Sequence, residues 1–161
     1  MLTSILYSAL LIVAPMWAAS SDQSPSTQPL SKGSVEALQL VLEDERRAEA
    51  LYAAVLLKHG EVRPFSNIIE AERRHQCALE NLFTAHGLSV PPNPWKDRKV
   101  EAPSTFRAAC EAGITAEIEN VSLYDRLMKT VTERDLIEVF ERLRWASQER
   151  HLPALRRQVG R

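Results

Sequence analysis

The sequence predicts an all-α fold, a four-helix bundle with a long crossover between its second and third helices. Two observations carry this. Apolar residues return to one stripe, at the three-and-four spacing of an α-helix, over four separate stretches. The stretches are joined unequally. Only a few residues separate the first from the second, which makes those two antiparallel neighbours. Residues 88–103, by contrast, hold Pro91, Pro92, Pro94 and Pro103 and the charged run Lys96-Asp97-Arg98-Lys99. That segment cannot be helical throughout, and it is long enough to travel the length of a bundle. The 161 residues fit one domain whose core needs no staples, and a net charge of −1 gives no electrostatic footprint for nucleic acid.

The bundle is expected to occupy residues 34–161. Before it, residues 1–20 read as a signal peptide, with an apolar centre from Ile5 to Val13, a break at Pro15 and small residues at Ala18 and Ser20. No Lys or Arg precedes Lys32, so the usual positive start is missing. A retained membrane anchor is the other reading, although the apolar run is short for a spanning helix. The expectation is a periplasmic or secreted protein without stable membrane insertion after processing. Residues 21–33, rich in Ser, Pro, Gln and Thr, are expected to form a disordered linker.

In the first helix Ser34 is placed to cap the start, and Gly60 supplies a left-handed stop after His59. Its stripe is Val35, Leu38, Val41, Leu42, Ala48, Tyr52, Val55 and Leu56, and Glu45 falls in the middle of it. Glu43 and Asp44 lie off the stripe and are expected in solvent. On its own, Glu45 fits either a buried ion pair with an arginine or a metal ligand. Pro64 suits the first turn of the second helix, which stops at Gly87 and turns inward Phe65, Ile68, Leu79, Leu82 and Phe83. Glu72 and His75, three residues apart, share that inward face.

The third helix is expected over about Ser104 to Lys129, with Phe106, Cys110, Gly113, Ile114, Val121, Tyr124, Leu127 and Met128 on its stripe. Glu117 is at its centre, Asn120 follows one turn later, and Glu119 sits off the stripe. The fourth helix opens on Thr132-Glu133-Arg134-Asp135, a capping-box pattern, and buries Leu136, Phe140, Leu143, Ser147, His151 and Leu155. Pro153 removes the bond that residue 153 would make to the carbonyl of Glu149, so a kink is expected beside His151.

Glu45, Glu72, His75, Glu117 and His151 therefore form one polar layer in an apolar interior, and they are the expected metal ligands. A buried unpaired carboxylate is costly, whereas a metal ion holds carboxylates and imidazoles together. Inward Glu-x-x-His is a feature of di-metal carboxylate bundles. The competing reading is a metal-free polar network completed by Arg47, Arg74 or Arg144, in which every member must be hydrogen-bonded. Tyr52 and Tyr124 each follow a core glutamate by seven residues, as core side chains or as donors to the ligands. His59 and His86 each precede a helix-ending glycine and are expected to cap. Trp145 lies on a flank, and Arg156, Arg157 and Arg161 read as a solvated helix end. Cys77 and Cys110 are expected as two buried free thiols. Parallel second and third helices would hold their sulfurs about 18 Å apart along the axis at 1.5 Å per residue. No glycine-rich phosphate loop, nucleophile elbow or Cys-x-x-Cys knuckle is present.

The segment Glu45-Arg-Arg-Ala48-Glu-Ala-Leu-Tyr52 resembles the first ligand helix of rubrerythrin-type ferritin-like proteins, with Ala three and Tyr seven residues after the Glu. Together with Phe65-Ser-Asn67-Ile68 before Glu72-x-x-His75, and with His151-Leu-Pro-Ala-Leu155, residues 36–158 resemble a bacterial ferritin-like family designated a domain of unknown function. The resemblance implies a carboxylate-rich metal site, with Glu45, Glu72 and His75 in the first half-site and Glu117 and His151 in the second. Gln148 departs from the pattern, since it stands where a second Glu-x-x-His would place its Glu. That departure implies one tight metal position and a weaker second one. No rubredoxin-like cysteine module accompanies the bundle.

The function expected is that of an exported ferritin-like metal-binding protein, with di-iron oxidoreductase activity on oxygen, peroxide or ferrous iron as one form that this binding can take. One or two iron ions are the expected cofactor, and other divalent metals suit the same ligands. Sequestration or sensing without turnover, and a metal-free helical interaction domain, are the readings from other classes. The metal ion is the expected partner, nucleic acid is not, and a homo-oligomer is compatible with the bundle.

Overall fold

The computed structural model describes residues 29–160, so the expected signal peptide and most of the expected linker lie outside the described residues. The architecture is an all-α four-helix bundle: α1 is Lys32–His59, α2 is Phe65–Ala85 and α3 is Phe106–Leu127. The fourth helix is built in three pieces: α4 at Arg134–Ala146, a π-turn at Ser147–His151 and α5 at Leu152–Val159. Among the described residues no helix is long and apolar enough to cross a membrane.

Helix ends follow local chemistry with two corrections. The cap of α1 is Ser31, not Ser34: its hydroxyl accepts from the Ser34 N–H at 3.0 Å, and the helix starts inside the expected linker. Ser34 is buried because its own hydroxyl donates to Glu133 Oε2 at 2.5 Å. Glu133 also accepts from the backbone N–H groups of Ser31 and Thr132, at 3.3 and 3.1 Å. The capping box at Thr132 accordingly does not form. Glu133, which stands at the N-cap of α4, ties the starts of α1 and α4 together instead. Gly60 and Gly87, at φ of 81° and 68°, end α1 and α2 in the left-handed region as their positions require.

Cross-links give the directions of the helices. Tyr52 on α1 meets Glu117 on α3, while Tyr124 on α3 meets Glu45 on α1, so α1 and α3 are antiparallel. The short α1–α2 connection makes that pair antiparallel too, and α2 therefore runs parallel to α3. Residues 86–105 must return along the bundle, as a crossover. Arg46 anchors its start, donating from Nη1 to the carbonyls of Pro91 and Pro92 at 2.9 and 3.2 Å and from Nη2 to Glu80 at 2.9 Å. His86 is the C-cap residue of α2 and His59 is the last residue of α1, as expected, and each ring also reaches beyond its own helix. The His59 ring reaches the Pro103 carbonyl at 3.0 Å, and the His86 ring reaches Asp135 at 2.7 Å. Both imidazoles thus fasten a helix end to a neighbouring element, a partner that local sequence does not reveal.

The apolar interior is split into two clusters. One gathers Leu38, Val41, Leu42, Leu79, Phe83, Tyr124, Leu136 and Phe140, and the other Tyr52, Val55, Phe65, Ile68, Cys110 and Leu155. Between them lies a polar layer. Beyond it α3 and α5 approach closely at Gly113, where a Cβ would stand 3.1 Å from Leu155 Cδ2 and 3.4 Å from Phe65 Cε1. Both cysteines are free, as expected, but only Cys110 is buried. Cys77 is exposed because two residues beyond inward His75 turn the helix about 200°.

Candidate metal centre

The helical period places one or two polar groups from each helix in the central layer. Glu45 from α1, Glu72 and His75 from α2, Glu117 from α3 and His151 from the π-turn are all buried. They form two overlapping groups, Glu45–Glu72–His75 and Glu72–Glu117–His151, in each of which the ligand-type atoms lie within 4.8 Å of one another. Glu72 belongs to both. Its Oε2 is 3.3 Å from His75 Nδ1 and its Oε1 is 3.2 Å from His151 Nδ1. Glu45 Oε2 lies 2.9 Å from His75 Nδ1, and Glu117 Oε2 lies 3.2 Å from His151 Nδ1. Both imidazoles therefore turn Nδ1 toward the carboxylates, and their rings stack with centroids 5.6 Å apart.

Around these five groups the arrangement is reciprocal between α1 and α3. The Tyr52 hydroxyl donates to Glu117 Oε1 at 2.5 Å, and the Tyr124 hydroxyl donates to Glu45 Oε1 at 2.7 Å. The tyrosines are at once core side chains and donors to the inward carboxylates. Asn120 donates to Glu45 Oε1 at 3.1 Å and to Asp44 Oδ2 at 2.9 Å, and accepts from the Ser147 hydroxyl at 2.8 Å. Asp44 is not the solvated residue its off-stripe position suggests. It is largely enclosed between Asn120 and Arg47, whose Nη2 is 2.7 Å away. Burial raises its carboxyl above the ordinary range, against the hydrogen bonds from Arg47 and Asn120.

Arg47, Arg74 and Arg144, the arginines that a metal-free network would use, do not enter the layer. Arg47 pairs with Asp44 and Glu119, Arg144 pairs with Asp125, and Arg74 is exposed. Among the described residues the one buried arginine is Arg46, which sequence reasoning passed over. Its signal was the proximity of a flank position on α1 to the proline carbonyls of the crossover. Gln76 was also missed; its amide donates to Glu49 Oε2 at 2.8 Å and closes the layer's edge.

The electrostatics are those of a cluster that shares protons. Burial pushes Glu45 up, but hydrogen bonds from Glu72, His75 and Tyr124 outweigh it and hold the carboxyl well below its usual range. Glu72 goes the other way: burial, and then the negative charge on Glu45, push it well up, so it keeps its proton and shares it with Glu45. Burial alone would lower both imidazoles. Glu45 and Glu72 instead raise His75 to about 9, and Glu117 and Glu72 raise His151 to about 10.

Gln148 is exposed. In the π-turn the Leu152 N–H reaches the Ser147 carbonyl, so one extra residue is accommodated between α4 and α5. His151 keeps its inward direction and Gln148 swings outward, while Glu72 fills the shared position. The layer thus gathers three carboxylates and two Nδ1 imidazole atoms, none of the carboxylates from the fourth helix. A metal ion held by these groups would meet hard oxygen and borderline nitrogen donors, which suit iron, manganese or zinc.

No family model matches the chain, and no curated protein matches it. Among solved structures, it is similar to the hypothetical protein MJ0754 from Methanococcus jannaschii DSM 2661, with 23% identity over 83% of each chain and a TM-score of 0.71. That likeness concerns the fold.

Proposed function

We propose that this chain is an exported ferritin-like di-iron protein, in which Glu45, Glu72 and His75 hold one ion, Glu72, Glu117 and His151 hold the other, and Glu72 bridges the two. The observation that carries the reading is Glu72: a fully buried carboxylate turns one oxygen to the Nδ1 of each of two histidines, and each of those Nδ1 atoms also meets a second carboxylate, from Glu45 or Glu117. A structural polar network needs no such duplication. The N-terminal apolar run in the sequence supports export.

Two iron ions held this way would supply one- and two-electron redox chemistry toward oxygen, peroxide or ferrous iron itself. The chain's own part is to orient, to exclude water and to hold protons. Tyr52 and Tyr124 fix the outer carboxylates, Asn120 joins Glu45 to the fourth helix, and two apolar clusters seal the layer above and below. Glu72, His75 and His151 release protons as the ligand atoms become available, so uptake of metal is coupled to loss of protons.

The test is anaerobic calorimetric titration with Fe(II), with metal analysis, followed by exposure to oxygen or peroxide while the ferric absorbance is recorded. The reading predicts two ions per chain and rapid oxidation. Binding without oxidation would move the protein to sequestration or sensing, and no binding would leave a helical interaction domain.

A further inference from the structure

Behind the two imidazoles, away from the carboxylates, a cleft of about 370 Å³ opens between α2 and the π-turn. Alanines, Pro64 and Ile68 form its walls, and its polar groups are Asn67, Arg74, His75, Arg150 and His151. Among the described residues no Asp or Glu lines it. His75 and His151 spend Nδ1 on the ligand carboxylates. Neither Nε2, on the opposite edge of the ring, has a protein partner among the described residues, and neither is sealed from solvent.

Histidines that ligate metals almost always give their second ring N–H to a carboxylate, a carbonyl or water, and this fixes the ring and raises its basicity. Here the protein supplies an acceptor for neither. It supplies two arginines instead. Arg74 and Arg150 are exposed and make no ion pair with a carboxylate among the described residues, whereas neighbouring Arg73 is taken by Glu49 and Glu70. The Arg150 guanidinium lies over the Trp145 ring, 5.1 Å from its centroid, which holds it at the cleft without neutralising it.

We propose that this cleft is a binding site for a small oxyanion, whose oxygens accept from the two imidazole Nε2–H groups and pair with Arg74 and Arg150. Its influence on the metals rests on the di-metal reading; the site itself does not. With a metal on Nδ1 each neutral imidazole carries its proton on Nε2, and an acceptor there makes Nδ1 a better donor to the metal. Anion and metal then strengthen each other's binding by the same factor. The cleft has room beyond an inorganic ion, along the wall of Ile68 and the alanines, for a short organic group carrying the anion.

The experiment is calorimetric titration of sodium sulfate, at ionic strength matched with sodium chloride, into metal-free and Co(II)-loaded protein. Saturable one-to-one binding is expected in both. It should weaken about tenfold in Arg74→Ala and in Arg150→Ala, the worth of one hydrogen bond between charged groups, and vanish in the double variant. Both arginines are exposed, so the variants should unfold at the wild-type temperature; Arg74→Lys and Arg150→Lys should keep part of the affinity. Sulfate should raise Co(II) affinity several-fold in the wild type and not in the double variant. Ethyl sulfate binding more tightly than sulfate assigns the apolar wall to an organic ligand, and equal or weaker binding assigns the site to an inorganic ion. Absence of sulfate binding beyond that of chloride, or binding indifferent to the double substitution, would overturn the site. Failure of Co(II) uptake with sulfate binding intact would overturn the di-metal reading alone.

Discussion

Glu72 has two roles that one substitution separates. In the metal-free protein burial and Glu45 keep its carboxyl protonated, and a glutamine amide reproduces that neutral, hydrogen-bonding state in the same volume. On the di-metal reading Glu72 would have to be an anion shared by two ions, which an amide cannot be. Glu72→Gln should therefore leave the thermal unfolding of metal-free protein near the wild-type value at neutral pH and abolish both metal positions by metal analysis. Strong destabilisation with metal uptake intact would instead make Glu72 a structural residue. The tyrosines give a finer test, because their donations cross. Tyr124→Phe removes a bond to Glu45, and Tyr52→Phe removes one to Glu117. Each should cost about 1.5–3 kcal/mol in unfolding experiments, the range for a hydrogen bond to a charged group. Each should also weaken metal binding by about 10- to 100-fold, with Tyr124→Phe acting on the half that contains His75.

The fourth helix is where a regular helical period stops describing the chain. Gln148 and His151 are three residues apart and would share a face on an uninterrupted α-helix. On that basis Gln148 becomes a defective ligand, and restoring Glu there would strengthen the second metal position. The π-turn removes the premise, since Gln148 is in solvent. Gln148→Glu should leave metal stoichiometry and affinity unchanged by calorimetry; a tighter second site would show that the turn reverts to α-helix. On the di-metal reading, unequal binding would have another source. Three carboxylates for two divalent ions leave one net positive charge in a buried layer, so the second ion should bind more weakly than the first. What was legible in the sequence is what the helical period decides: the inward faces of α1, α2 and α3, and with them Glu45, Glu72, His75 and Glu117. The missing bond at Pro153 foretold an irregularity beside His151, but not the extra residue that it admits. The Ser31 cap, the enclosure of Asp44, the Arg46 anchor and the tethers of His59 and His86 all depend on distances between elements, which no periodicity carries.

At the scale of the whole molecule, the bundle closes around a polar layer whose charges are balanced by protons when no metal is present, and this makes stability depend on pH in a definite sense. His75 and His151 have folded-state values of about 9 and about 10, above their ordinary 6.5. The stabilisation they give is fully present below 6.5 and is lost as pH rises through 9 and 10. Glu72, raised by burial and by Glu45, acts in the same direction, because the folded state holds its proton where the unfolded chain has released it. Glu45 acts oppositely. Its carboxyl lies below the ordinary 4.5, so its contribution is present above that value and lost in acid. Metal-free protein should therefore be most stable near pH 4.5, should lose stability through Glu72 above that value, and should lose it more steeply through both histidines from 6.5 toward pH 10. On the di-metal reading metal ions would replace those same protons, so metal affinity should rise over the range in which metal-free stability falls, with protons released on binding. Thermal unfolding with and without Co(II) from pH 5 to 9, together with calorimetry in buffers of different ionisation enthalpy, measures both trends. The metal-induced rise in unfolding temperature should grow with pH. A rise that shrinks with pH, or binding without proton release, would mean that the metals do not take the places these protons hold.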